Sequence, residues 1–516
     1  MFKLLKKLTG RKQKLNRINL KDTLEDQSNQ KDQSVSRQID VNIERIKKIY
    51  QIPDNKDVKV REFRIGGNGK RIAIFFISSI TDVRTVEDSA IKPLLQETDM
   101  DAEIDKILST QNVTAISEIK EVVTNINTGN AVIFADYETK AYAFECANFQ
   151  GRSVERAENE VLVKGSKEAL TEKVIVNLSL IRKRIKNESL IAESVTISER
   201  SRNEVFMLYI RNVADDKLVG NIKNRLQNLD VDAIQNLSLL EQYIEERRLS
   251  LFPSILYSER PDRAASFLED GHIILLMDNS PDALILPATF WSFFHTPEEH
   301  YLRFFFGNFV RFIRVIAMFI TIFTSAIYIA VTSFHAEMIP ADLLLAIAGS
   351  REKVPFPIFF EILLMEAAFE LIREAGLRVP NPMGPTIGIV GALILGQAAV
   401  EANIISPIVI IVVALSGLTS FTISDISLNY ALRIIRFLFI LSAGLFGIVG
   451  MTSLFAVGIF YLVSLKSFGV PYLAPMTPNY LSSGDTIFRR VITHEKFRPG
   501  YLKPTDMKKK SNGAVR

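Results

Sequence analysis

The feature that most constrains this chain is a change of solvent preference near residue 300. Up to that point the sequence is charged and reads as soluble, whereas from Phe304 to Leu465 it is mostly apolar. Within the apolar half, "FVRFIRVIAMFITIFTSAIYIAVTSF" is long enough to cross a bilayer, which takes about 20 residues. "GPTIGIVGALILGQAAVEA" and "IISPIVIIVVALSGLTSFTI" are two further candidate spans. "IIRFLFILSAGLFGIVGMTSLFAVGIFYLVSL" is too long for one upright span. It reads as one tilted helix or as two short passes broken near Gly447 and Gly450. Arg311 and Arg314 at the start of the first span are expected to snorkel to headgroups. With Arg303 they place the large N-terminal region in the cytoplasm. Arg433, Arg436 and the lysine-rich end "KKKSNGAVR" prefer the same side, which six passes satisfy, with five left open.

The expected fold is an α/β soluble N-terminal region of two similar subdomains, followed by an all-α polytopic membrane domain. The divisions are a basic disordered tail (1–40), α/β subdomain 1 (41–165), α/β subdomain 2 with its connecting helix (166–300), a membrane domain of five or six helices (301–466) and a basic C-terminal tail (467–516). The N-terminal "MFKLLKKLTGRKQKLNR" has no uninterrupted apolar core, so it does not read as a signal peptide; its charge favours an anionic membrane face.

The soluble half reads as built twice. "GNAVIFADYETKAYAF" from Gly129 lines up with "GHIILLMDNSPDALIL" from Gly271. "IAIFFISSITD", ending at Asp82, lines up with "VFMLYIRNVAD", ending at Asp215. Each half gives a strand, a helical stretch and a hairpin opened by glycine, in the same order, which points to duplication. Between the halves, Leu170, Val174, Leu178 and Ile181 share a helical face. The basic run Arg182, Lys183, Arg184 and Lys186 at its end reads as a solvated helix C-terminus.

Several function classes have no support in the sequence. A net charge of +4 is too small to argue for nucleic acid. The single cysteine, Cys146, forms no internal disulfide and reads as part of a buried strand. The five histidines are scattered, and His295 and His300 do not make a metal site. "GGNGK" lacks phosphate-loop spacing and reads as a turn. No catalytic constellation, metal site or cofactor is expected.

The apolar half nevertheless carries carboxylates. In "IFFEILLMEAAFELIREAGLRVPNPMG", Glu366, Glu370 and Glu374 fall within about 80° on a helical wheel, with Arg373 beside them as an internal partner. Glu361 lies on the apolar side, near the helix start, where it reaches for the interface. Such a helix lines water, packs against other polar protein groups, or lies in the interface. The next helix divides differently. Gly384, Gly388, Gly391, Ala392, Ala399 and Ala402 form a small-residue packing face, opposite Val390, Ile394, Gln397 and Glu401. An apolar pair followed by Gln and Glu, repeated about a symmetry axis, would make a constriction beside a charged ring, as cation pores do. Bonds from Gln397 and Glu401 to bundle neighbours are the alternative.

Several stretches together resemble one family. They are "ENEVLVKGSKEALTEKVIVNLSLIRKRI", "YSERPDRA", "VPFPIFFEILLMEAAFELIREAGLRVPNPMGPTIGIVGALILGQAAVEA", "RIIRF" and "SLKSFGVPYLAPMTP". They are similar to the A subunit of the nutrient germinant receptors of endospore-forming bacteria. The resemblance implies a non-enzymatic integral protein of the spore inner membrane, acting with a transporter-like B subunit that takes the nutrient and a lipoprotein C subunit. It implies membrane lipids and monovalent cations as partners, and a ring-shaped homo-oligomer with a pore. Assignment of that pore to Val390, Ile394, Gln397 and Glu401 is an expectation carried over from it. A secondary transporter for a small solute, or a structural scaffold subunit, are the rival classes.

Overall fold

The computed structural model describes residues 31, 33–67, 69–99, 103–110, 112–149, 157, 160, 162–378, 395–480 and 485–509. The chain divides into two compact units. The first takes its described residues from 1–245, 257–287 and 497–516; the second comprises 246–256 and 288–496.

The first unit holds two five-stranded sheets of identical order. In the first, β1 (Val58–Arg64), β2 (Arg71–Ile77), β3 (Val113–Ile116), β4 (Ala131–Ala135) and β5 (Ala141–Phe144) run β1-β2-β4-β5-β3. In the second, β6 (Leu190–Ile197), β7 (Asn203–Ile210), β8 (Leu256–Ser258), β9 (Ile273–Met277) and β10 (Ala283–Leu286) run β6-β7-β9-β10-β8. The duplication read from the sequence is therefore a repeat of topology. It extends to single bonds. Helix α1 (Ile39–Tyr50) opens on Asp136, whose carboxylate accepts from the Ile39 N–H; helix α2 (Val174–Arg184) opens on Asp278 in the same way, from Val174. Asn42 clasps the backbone of Ser36, and Asn177 that of Thr171. Asp82 and Asp215 cap the helices after β2 and β7, and Gly129 and Gly271 both adopt positive φ, +94° and +101°.

Both faces of the first sheet are covered, which explains the unbroken apolar run Ile72–Ile77 of β2. Ala73, Phe75 and Ile77 pack under Ile39, Ile43 and Ile46 of α1 and under Ile119, Val122 and Ile126. The alternate residues Ile72, Ile74 and Phe76 pack with Val86, Leu94 and Ile104 on the other side. Cys146 lies just past β5, buried, with burial pushing its thiol up to about 12.

The basic run at the end of α2 is not wholly solvated. Arg182 is buried and pairs with Asp57 at 3.0 Å, while also donating to the Leu190 carbonyl at 3.0 Å. Asp57 accepts from the Ser79 hydroxyl and amide at 2.8 and 3.0 Å. The ion pair therefore ties α2 to the strands of the first subdomain. The Lys56 N–H donates to the Ala192 carbonyl at 2.9 Å alongside it.

His272, buried between the rings of Phe267 and Tyr501, has its imidazole pushed down by burial to about 3. A base with a depressed folded pKa gives stability that is present above its unfolded value near 6.5 and is lost as pH falls towards 3. Asp282 acts oppositely. Burial raises its carboxyl to about 6, so its contribution falls as pH rises from about 4 to 6. A comparison isolates the histidine: His272→Phe is expected to lower the pH dependence of unfolding below pH 6.5 by up to about 1.4 kcal/mol per pH unit. Denaturant melts of wild type and variant at pH 4, 5, 6 and 7 measure it; parallel profiles would remove His272 from the account.

The second unit is helical. α3 (Phe304–Phe334) and α4 (Ile426–Ser464) are long and apolar enough to cross a membrane. Between them lie α5 (Ala341–Arg351), α6 (Ile358–Arg378) and the shorter apolar α7 (Pro407–Ser420). α4 is interrupted at Gly447, whose φ of 59° and ψ of −141° are not helical. A side chain there would also meet the Phe334 ring at 3.0 Å. The break leaves pieces of about 31 and 25 Å, each comparable to a hydrocarbon core.

Candidate functional site

The carboxylates of α6 find their partners on other helices. Glu366 is fully buried. It accepts from the Ser325 hydroxyl of α3 at 2.6 Å and from Ser416 of α7 at 3.0 Å, and lies 3.0 Å from the Arg436 guanidinium of α4. Arg436, also fully buried, reaches Glu370 at 2.6 Å and donates to Ser416 at 3.0 Å. Arg433, one turn earlier on α4, pairs with the second oxygen of Glu370. Two carboxylates and two guanidiniums are thus matched where four helices meet. A carboxylate and guanidinium removed from water need such mutual pairing to repay desolvation.

This corrects the reading of Arg373 as the partner of Glu366 and Glu370. Arg373 donates instead to the Ser420 hydroxyl and lies 4.0 Å from the centre of the Phe421 ring. Glu361 does not reach for an interface either. It is buried, bound by Arg351 from the end of α5 at 2.9 Å and by the Ser406 N–H at the start of α7 at 2.9 Å. Glu374 is exposed.

Of the predicted gate, Val390 and Ile394 lie outside the described residues, as do Gly384, Gly388, Gly391 and Ala392. Gln397 and Glu401 are exposed, with the Gln397 amide donating to the Glu401 carboxylate at 2.9 Å. Ala399 is half-buried and Ala402 exposed.

A second charged cluster sits where α3 begins. Arg311 and Arg314 are buried, which corrects the expectation that they snorkel. Both bind Glu299, the capping-box residue of the short helix Pro297–Tyr301, and Arg311 also binds Asp485. Burial alone would raise Asp485; His295, a hydrogen bond from His300 and the Arg311 charge hold it well below the usual carboxylate range. Glu299 is likewise held low, with Arg311 and Arg314 outweighing burial. The sequence reading missed both clusters' partners, Ser325, Ser416, Arg351, Glu299 and Asp485. One signal was available: "RIIRF" places two arginines one turn apart in an apolar helix, which demands carboxylates from elsewhere.

These elements fall within the span of one family model. The model of the Bacillus/Clostridium GerA spore germination protein matches residues 44–501. The chain belongs to the GerA family. Among its GerA relatives, spore germination protein KA of Bacillus subtilis (strain 168) is 35% identical over 481 residues, covering 92% of this chain and 88% of that one. Spore germination protein GerLA of Bacillus cereus is 34% identical, covering 87% and 93%. The crystal structure of the N-terminal domain of the A subunit of the Bacillus megaterium spore germinant receptor GerK3 aligns with 27% identity and a TM-score of 0.38. That alignment covers 50% of this chain and 98% of that domain. The GerA match spans the duplicated sheets and both buried clusters, so the network binding α6 to α4 lies within the family's common region.

Proposed function

We propose that this GerA-family chain is the A-type subunit of a nutrient-sensing germinant receptor in the spore inner membrane, with its α/β region cytoplasmic. It assembles with further copies of itself and with B and C subunits, and forms a nutrient-gated channel for monovalent cations that triggers germination. The receptor role is supported by the full-length similarity to spore germination proteins. A polytopic membrane domain is supported by two helices long enough to span and by the break that divides α4.

The channel reading rests on one contrast. The carboxylates Glu361, Glu366 and Glu370 find partners inside the chain, whereas Gln397 and Glu401 face outward from an apolar segment. An outward carboxylate at membrane depth requires water or another copy beside it. A ring of copies supplies both, with Val390 and Ile394, seven and three residues before Gln397 in the sequence, as the constriction. Glu401→Gln is expected to reduce cation over anion selectivity in liposomes, and Val390→Ala to leak ions from dormant spores. Unchanged selectivity in the first and full ion retention in the second would remove the gate from this helix.

The buried Glu366–Arg436 pair favours one rival, a secondary transporter moving a solute through a single chain, since such proteins hold ionisable groups within the bundle. Solute uptake by a monomeric or dimeric particle would select it. A scaffold subunit would show no cation flux at all.

A further inference from the structure

The second α/β subdomain lacks a segment that the first possesses. In the first, the chain runs on past β5 and returns beside the end of β2. There the Asn148 N–H donates to the Ile80 carbonyl at 2.8 Å and the Asp82 N–H to the Cys146 carbonyl at 2.8 Å. Ala147 lies against Gly129, its Cβ 3.0 Å from where a Cβ on that glycine would stand. The caps Asp82 and Asp215 and the positive-φ glycines fix the equivalent places in the second subdomain as Val213 and Gly271. The chain past β10 cannot fill them, because it passes into the helical unit at residue 288.

Residues from beyond that unit fill them instead. The Thr505 N–H donates to the Val213 carbonyl at 2.9 Å, and its hydroxyl to the Ala214 carbonyl at 3.3 Å. Pro504 Cβ comes within 3.7 Å of the Cβ position on Gly271. Pro504 and Thr505 thus stand where Ala147 and Asn148 stand in the first subdomain, in the same chain direction. The segment is held along its length. Arg498 donates to the Glu269 carbonyl at 2.7 Å, Tyr501 covers His272, Lys509 pairs with Asp270 at 2.7 Å, and a bridge joins Phe497 to Lys508.

We propose that Val213, Ala214 and Gly271 form a slot for a short stretch of backbone, and that its occupant is Pro504 and Thr505 of this chain's own segment 497–509, a turn closed by the Phe497–Lys508 bridge, which completes the second subdomain. The slot asks for a compact residue over the glycine followed by a residue with a free N–H, as Ala-Asn and Pro-Thr both provide. The stretch 288–496 is then an insertion within the second subdomain, with both of its ends leading into one soluble body. On the membrane reading given above, the number of crossings must be even, which selects six passes over five.

The test uses the full-length chain carrying Asp270→Cys and Lys509→Cys, whose one natural thiol, Cys146, is buried. A short bifunctional thiol reagent is expected to join the two cysteines within one chain, with a yield independent of dilution. Adding Thr505→Pro removes the N–H that Val213 accepts and should slow cross-linking about fivefold. A cross-link between chains would assign the slot to a second copy and overturn the proposal. Absence of any cross-link, or an unchanged rate with Thr505→Pro, would overturn the slot itself. These outcomes do not depend on the membrane reading. That reading is checked separately, by labelling the same two cysteines in sealed vesicles. Labelling from opposite sides refutes the even count.

Discussion

Arg436→Ala is expected to destabilise the helical unit by about 3–5 kcal/mol, the scale for leaving buried charges without their counterion. Removing the guanidinium strands Glu366, which has no exposure and keeps only the hydroxyls of Ser325 and Ser416. Glu370 retains Arg433 and loses less. Arg436→Lys should recover little, because a single ammonium cannot replace a fork that spans two carboxylates and the Ser416 hydroxyl. The double variant Glu366→Gln/Arg436→Met should be more stable than Arg436→Ala, since it removes the orphaned charge along with its partner. Thermal unfolding of the detergent-purified protein gives the comparison. Equal midpoints for Arg436→Ala and wild type would mean that the cluster carries no net coupling between α6 and α4.

The strands and the duplication were legible because each rests on local pattern. The run "RIAIFFI" is apolar from Ile72 onward because both sheet faces are covered, and its counterpart "EVFMLYI" recurs at a matching distance from a capping aspartate. Helix α6 was legible as a helix, and its glutamates as a stripe, from spacing alone. Their partners were not. Arg436 lies 66 residues beyond Glu370, and spacing along one helix offers only Arg373, which turns to Ser420 and Phe421 instead. The same limit hid Asp57 behind Arg182, 125 residues apart, and hid the return of Thr505 to Val213. Periodicity reports which face of an element is apolar. It does not report which distant charge a buried charge will meet.

Arg182→Ala is expected to cost the soluble region about 3–5 kcal/mol and to loosen its two subdomains from each other. Asp57 would be left with the Ser78 and Ser79 donors, at no exposure, while the Leu190 carbonyl would lose its guanidinium donor. That carbonyl belongs to the first residue of β6, so the loss reaches the edge of the second sheet. The other ties across this junction are more exposed or made of single bonds: Glu188 pairs with the partly exposed Lys31 and accepts from Asn127 at 3.0 Å, and the Ala192 N–H donates to Asn55 at 3.3 Å. Lys56 to Ala192 is a single backbone bond, and the Asn55 amide meets Leu190 only at 3.4 Å. The two sheets should therefore unfold in one transition in wild type and in two in the variant. Hydrogen exchange on the full-length chain resolves this. The amides of Ile191 and Ala192 should lose protection before those of Phe75 and Phe134, whose strands are packed on both faces of their own sheet. Asp57→Asn should be similarly costly, because one amide oxygen replaces two accepting carboxylate oxygens, the new NH2 faces a donor, and the buried Arg182 guanidinium loses its counterion. If both variants unfold in one transition at the wild-type midpoint, the subdomains are joined by packing and the ion pair only fills the junction.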